Sequence, residues 1–209
     1  MAAAGGDIMN ASVMYGPRST SLLNGPELWF ANRATGMVLL LLLTFSTMLG
    51  VLATARVSPR HWPRMLSQGL HRNVSLLAVT FLAAHVVTAV VDTFVDIRWY
   101  DAFLPFAGKY MPLWLGFGSL ALDLIIAVTA TSLLRHRMSH RPWRTVHVLA
   151  YAAWGMGLLH GLEMGTDAHT AWGAAISYGC IAAVFLAVLM RLGLLVRPSL
   201  VTARLQAQS

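Results

Sequence analysis

Four histidines stand out by type and position: His71 and His85 in one long apolar stretch, His147 and His160 in another. Ionisable side chains inside a membrane-crossing segment are costly and normally face a partner, a cofactor or a water-filled cavity. Fourteen residues separate the first two and thirteen the second two, which at ~1.5 Å per residue is about 20 Å along a helix. If the two segments lie side by side and run in the same direction, they offer one histidine couple at each of two depths. First pairs with first, His71 with His147, and second with second, His85 with His160. The crossed pairing separates the partners by most of the membrane thickness. Haem b requires two neutral imidazoles on opposite faces of a flat macrocycle held in an apolar slot, and the pattern predicts two such sites. The other reading is that the four satisfy polar contacts inside a helix bundle or lie at headgroup level.

One spacing sits badly with this. Fourteen residues is close to four turns, so His71 and His85 share a helix face, whereas thirteen leaves His147 and His160 about 140° apart on an ideal helix. Gly155 and Gly157 lie between them and suggest a local change in winding or a close helix approach. The remaining histidines, His61, His136, His140 and His169, fall in connections and read as solvated loop residues.

The elements that must position these side chains follow from composition. Of 209 residues, 57% are hydrophobic and 11% charged, with a mean hydropathy of +0.63. Soluble domains carry roughly 25% charged residues, so an integral membrane protein is expected, with room for about five spans of roughly 20 residues. From Gly36 the chain carries no charge until Arg56, giving span one. Span two covers Asn73 to Val91, span three Pro112 to Leu134, span four Trp143 to Leu162 and span five Trp172 to Val196. The fold class expected is therefore all-α, a bundle of about five transmembrane helices with a di-haem b site between spans two and four. Its parts are an exterior segment, 1–30, the membrane domain, 31–196, and a cytoplasmic tail, 197–209. No cleavable signal peptide is visible in the first thirty residues.

Charge sets the orientation. Arg56, Arg60, Arg64 and Arg72 lie between spans one and two, Arg135, Arg137, Arg141 and Arg144 between three and four, and Arg197 and Arg204 in the tail. The other two connections hold Asp92, Asp96 and Asp101 against Arg98 and Lys109, and Glu163 and Asp167 with no lysine or arginine. Basic residues are retained on the cytoplasmic side, so the N-terminus is expected outside and the C-terminus inside a cell membrane, with spans two and four parallel. The net charge of +7 is read as topology, not nucleic-acid binding. Trp29, Trp62, Trp99, Tyr100, Tyr110, Trp114, Trp143 and Trp172 fall near span ends, as interfacial aromatics do. The single cysteine, Cys180, excludes an intrachain disulfide or a cysteine-ligated metal cluster built from this chain alone. Phosphate-binding glycine motifs and nucleophile triads are absent, and no internal repeat is evident.

The stretch Trp143-Arg144-Thr-Val-His147-Val-Leu-Ala-Tyr151, followed by Leu159-His160, resembles the Trp-Arg-x-x-His-x-x-x-Tyr and distal His segment of the ferric reductase-like transmembrane domain. Ferric reductases, NADPH oxidases and the haem-binding membrane subunit of methionine-sulfoxide repair systems share that domain. His71-Arg72 followed by His85 is similar to its other ligand-bearing helix, and the resemblance covers about Trp29 to Val196. It implies a di-haem b core moving single electrons across the membrane, with His71, His85, His147 and His160 as axial ligands. Two departures are present: only thirteen residues follow Val196, where full-length ferric reductases continue into FAD and NADPH domains, and the first span of the common six-span version has no counterpart. The expected donor is then a separate flavoprotein reductase or a membrane quinol, and the exterior acceptor ferric iron, a flavin-binding protein or oxygen.

Secondary candidates surround this core. Arg72, Arg141 and Arg144 lie at the depth of an inner haem's propionates, and Arg98 and Lys109 at that of an outer one. Asp123, in span three, reads as a protonated carboxyl hydrogen-bonded to a neighbouring helix or as a proton-path residue. Glu163, Asp167 and His169 read as a solvated loop or a weak cation site. Two other functions fit the composition: a quinol-oxidising haem b anchor of a larger oxidoreductase complex, and a non-redox carrier or assembly factor with structural histidines.

Overall fold

A computed structural model describes residues 26–54, 64–92 and 95–206. Every regular element among them is helical: α1 (Pro26–Thr54), α2 (Arg64–Val91), α3 (Pro112–Leu133), α4 (His140–Met164) and α5 (Ala171–Gln206), with single 3₁₀ turns at Trp99–Ala102 and Arg135–Arg137. His61, Trp62, Arg56, Arg60 and most of the N-terminal segment lie outside the described residues, as do the side chains of Arg64, Arg197 and Arg204. The helices outrun the apolar spans. Helix α1 begins ten residues before Gly36 and α2 nine before Asn73, because backbone hydrogen bonding continues past the hydrophobic stretch into the polar interface.

Four of the five, α1, α2, α3 and α5, are long and apolar enough to cross a membrane, and the chain is a multi-pass membrane protein by that measure. Helix α4 falls short of it. With 25 residues it has the length, but Arg141, Arg144, His147, His160 and Glu163 dilute its apolarity, so the helix richest in candidate chemistry is the least lipid-like.

Local sequence explains the helix ends. Pro112 occupies the first turn of α3 behind a left-handed Met111, where its missing N–H costs nothing. Gly165 closes α4, its N–H donating to the Gly161 carbonyl at 3.0 Å. The α2–α3 connection folds back on α3: Ser119 Oγ donates to the Asp101 carbonyl at 2.6 Å, and the Phe106 ring lies where any side chain at Gly116 would stand.

The bundle is two antiparallel hairpins. Helix α1 packs along α2 and α3 along α4, while α1 also meets α4 and α5 and so joins the hairpins. Helices α2 and α4 are not among the closely packed pairs. Between the ends, Leu39, Ala78, Leu82 and Leu122 form an apolar cluster with Leu42, Leu43, Phe81 and Ile125 around them. Trp154 Nε1 donates to the buried Thr44 hydroxyl at 2.9 Å, tying α4 to α1. In lipid, where burial against leucine or against acyl chains is nearly equivalent, close packing and such interhelical hydrogen bonds hold helices together, each bond at about 0.6–1.7 kcal/mol.

Candidate functional site

The hairpins bring the four histidines together as first with first and second with second. The His71 and His147 ring centres are 6.1 Å apart with planes at 72°; those of His85 and His160 are 6.3 Å apart at 85°. The first couple lies at the end where Arg135, Arg137, Arg141 and Arg144 gather, here the basic end, and the second at the end of Asp96, Asp101, Glu163 and Asp167, the acidic end.

Each ring is held through Nδ1 by a neighbouring helix. His85 Nδ1 is 3.0 Å from the Asn32 carbonyl on α1, His160 Nδ1 3.0 Å from the Trp114 carbonyl on α3, and His71 Nδ1 3.0 Å from the Ser46 carbonyl on α1. A carbonyl only accepts, so Nδ1 carries the proton in all three, and Nε2 keeps its lone pair. His147 differs: its Nδ1 contact is the Ser132 hydroxyl at 3.3 Å, and its ring stacks on Trp143, centres 4.9 Å apart at 23°.

Glycines make room for the rings. A Cβ at Gly118 would stand 2.6 Å from His160 Nδ1 and one at Gly36 3.0 Å from His85 Cε1, whereas one at Gly50 would sit at an ordinary 3.6 Å from His71 Cε1. In both hairpins the acceptor precedes the ring-facing residue by four: Asn32 with Gly36, Ser46 with Gly50, Trp114 with Gly118. Fourteen residues separate Gly36 from Gly50, as they do His71 from His85, which is the constant register of an antiparallel pair. Fourteen from Gly118 is Ser132. A repeat not evident from the sequence thus exists in three dimensions, with a serine at its fourth position.

The awkward thirteen-residue spacing is absorbed here. Helix α4 runs unbroken from His140 to Met164, and neither Gly155 nor Gly157 has a neighbour from another element within 4 Å of its Cβ position. Repeating the acidic-end geometry would require a histidine at 146, where the chain has Val146. One residue later the ring reaches a side chain, Ser132, in place of a carbonyl.

Among the described residues there is no cluster of three or more metal-binding side chains. A planar macrocycle supplying the other four donors needs only the two imidazoles of a couple. Metal–imidazole bonds of about 2 Å, with about 1.1 Å from each nitrogen to its ring centre, set the centres about 6.2 Å apart when collinear. Both couples match that span. Packed helices lie about 8–10 Å apart, and α2 faces α4 without such packing, which leaves width between them. At the basic end the Trp143 indole N–H is buried with no acceptor among the described residues, an orphan donor beside the couple.

The other candidates disperse. Arg72 and Arg144 are exposed and make no ion pair among the described residues; Arg144 lines an open concavity with His140, Arg141, Thr145 and Val148. Arg98 donates to the Tyr100 hydroxyl at 2.7 Å and stays exposed, and Lys109 is exposed. Asp123 is half-buried, and no helix offers it a hydrogen bond among the described residues, contrary to expectation. The polar loop is neither solvated throughout nor a cation cluster: Asp167 pairs with Arg33, whose Nε donates to Oδ2 at 2.7 Å and whose guanidinium covers Trp29 at 4.0 Å. Sequence reasoning overlooked Arg33, Asn32, Ser46, Ser132 and the ring-facing glycines, and read Trp114 only as an interfacial aromatic. The available signal was the fourteen-residue step shared by Gly36, Gly50 and the α2 histidines.

Residues 27–167 match the model of a family described as a domain of unknown function, DUF8596, and the chain belongs to that family. The matched stretch contains α1 to α4 and all four histidines of the couples, and it leaves out α5. No curated protein and no solved structure matches the chain.

Proposed function

We propose that this protein is a transmembrane electron-transfer cytochrome b of the ferric reductase-like kind, with one haem b at each histidine couple. The observation that carries the reading is the geometry of the couples: two pairs of half-buried imidazoles, each near 6 Å between centres, on helices that are not among the closely packed pairs. Haem supplies one-electron iron chemistry when bound.

The chain's own groups do the rest. His71 with His147, and His85 with His160, present Nε2 lone pairs, and the carbonyls of Asn32, Ser46 and Trp114 hold three of the rings in that tautomer. The Trp143 N–H and the guanidinium groups of Arg72 and Arg144 offer donors for carboxylates at the basic end. Leu39, Ala78, Leu82 and Leu122 keep the space between the two depths apolar.

Since α4 carries partners for both ends of α2, it covers the same depth and crosses the membrane with the other four, with His147 and His160 facing the bundle. The arginine distribution then puts the basic end in the cytoplasm and the acidic end outside a cell membrane. A haem held by His71 and His147 would accept electrons from a flavoprotein reductase or quinol, and one held by His85 and His160 would pass them to ferric iron, a flavin-binding protein or oxygen.

The test is expression with haem available, purification in detergent, and haem b per chain by pyridine haemochromogen with a reduced-minus-oxidised spectrum. About two low-spin haems per chain is the expected result. Well-folded protein with no haem overturns the reading and leaves the histidines structural.

A further inference from the structure

Three of the four rings are held by backbone carbonyls, and the fourth, His147, by the Ser132 hydroxyl at 3.3 Å. We propose that Ser132 is the positioning residue that sets the donor strength of His147 and makes the basic-end couple electronically distinct from the acidic-end one; this rests on the haem reading above.

The register explains why a serine stands there. In the α3–α4 hairpin, position 132 repeats position 118 one fourteen-residue step along α3, and at 118 a Cβ would stand 2.6 Å from the His160 ring. At 132 the thirteen-residue step on α4 has carried His147 off the repeat, so a side chain fits beside the ring, and the one present ends in a hydroxyl. A carbonyl acceptor cannot be rotated away or replaced by mutation, and it fixes the ring proton on Nδ1. A hydroxyl both donates and accepts and turns about its bond, so the hold on His147 is weaker and is set by one replaceable atom. Among the described residues, no other hydrogen-bond contact reaches that Nδ1. The Trp143 stack fixes the ring plane and leaves the proton to Ser132.

An acceptor on Nδ1–H increases the basicity of the ligating nitrogen, which favours the oxidised metal. In Ser132→Ala the hydroxyl is lost with little change in volume. The expected result is a shift of the basic-end haem to more positive potential, about three- to tenfold in the oxidised-to-reduced ratio at fixed potential, or ~30–60 mV for one electron. The acidic-end haem is expected to keep its potential. Ser132→Thr, which keeps the hydroxyl, restores the parent value.

Spectroelectrochemical titration of the parent, S132A and S132T proteins reads this. His160→Ala, which retains only the basic-end haem, assigns the two waves. If S132A drops the basic-end haem while S132T keeps it, the hydroxyl is holding the ring and the proposal stands. Unchanged potentials in S132A, equal movement of both waves, or loss of the haem in both variants overturns it. A parent protein with two haems and no S132A effect defeats this inference alone, whereas a parent without haem defeats the functional reading as well.

Discussion

The two histidine couples have nearly the same ring separation, 6.3 Å at the acidic end and 6.1 Å at the basic end, yet they are built from different materials. At the acidic end both rings bond to backbone carbonyls, and both lie against glycines too tight to admit a Cβ without movement. At the basic end hydroxyls crowd in: Ser46 Oγ is 3.3 Å from His71 Nδ1 and 2.7 Å from Ser75 Oγ, and Ser132 is the contact of His147. The acidic end is therefore set by main chain and by absent side chains. At the basic end His71 keeps a backbone carbonyl, but His147 is set by side chains that substitution can change, and the glycine beside His71 leaves looser space. Backbone hydrogen bonds confer a geometry that is hard to adjust, and hydroxyls one that is easy to adjust.

The sharpest break of this contrast is removal of a ring. His85→Ala or His160→Ala is expected to take haem content, measured by pyridine haemochromogen, from two to one per chain and to leave the basic-end bands in the reduced-minus-oxidised spectrum. Next comes Gly118→Ala. The added methyl meets His160 Nδ1, so the ring leaves the Trp114 carbonyl, and acidic-end haem affinity should fall about 10- to 100-fold in a haem titration. Gly36→Ala should act in the same direction more weakly, and Gly50→Ala, with room to spare, should be indistinguishable from the parent.

A third change lies between the couples. Trp154→Phe removes the donor to the buried Thr44 hydroxyl and is expected to lower thermal stability in detergent by about 1 kcal/mol, with no preference for either haem. Smallest is Arg33→Ala. It breaks the pair with the partly exposed Asp167 and the contact over Trp29, costing about 0.5–1 kcal/mol, and any effect on haem should be confined to the acidic end. An equal effect on both haems from Gly118→Ala or Arg33→Ala would show that the ends are not independently held.

Much of the architecture was legible in advance. Spans one, two, three and five correspond to α1, α2, α3 and α5, and the short pairing distances fall between the histidines expected to meet. Helix α4 was expected as a span like the others, but its charges leave it less apolar than its neighbours. The internal repeat was invisible because it consists of main-chain acceptors and of residues with little or no side chain, Gly36, Gly118 and Ser132, which leave no hydropathy signal. Arg33 was overlooked because its partner, Asp167, lies 134 residues away in the sequence.

By itself the sequence determined where the four long apolar helices lie along the chain, where their polar ends fall, and how far apart the histidines stand within each segment. Those are properties of each segment against a bilayer and need no neighbour. Only the tertiary structure decided which group each imidazole meets, that Ser132 takes the place of a glycine beside His147, and that α4 runs unbroken despite the thirteen-residue step. These depend on the rotation and register of one helix against another, where a shift of one residue turns a side chain by about 100°.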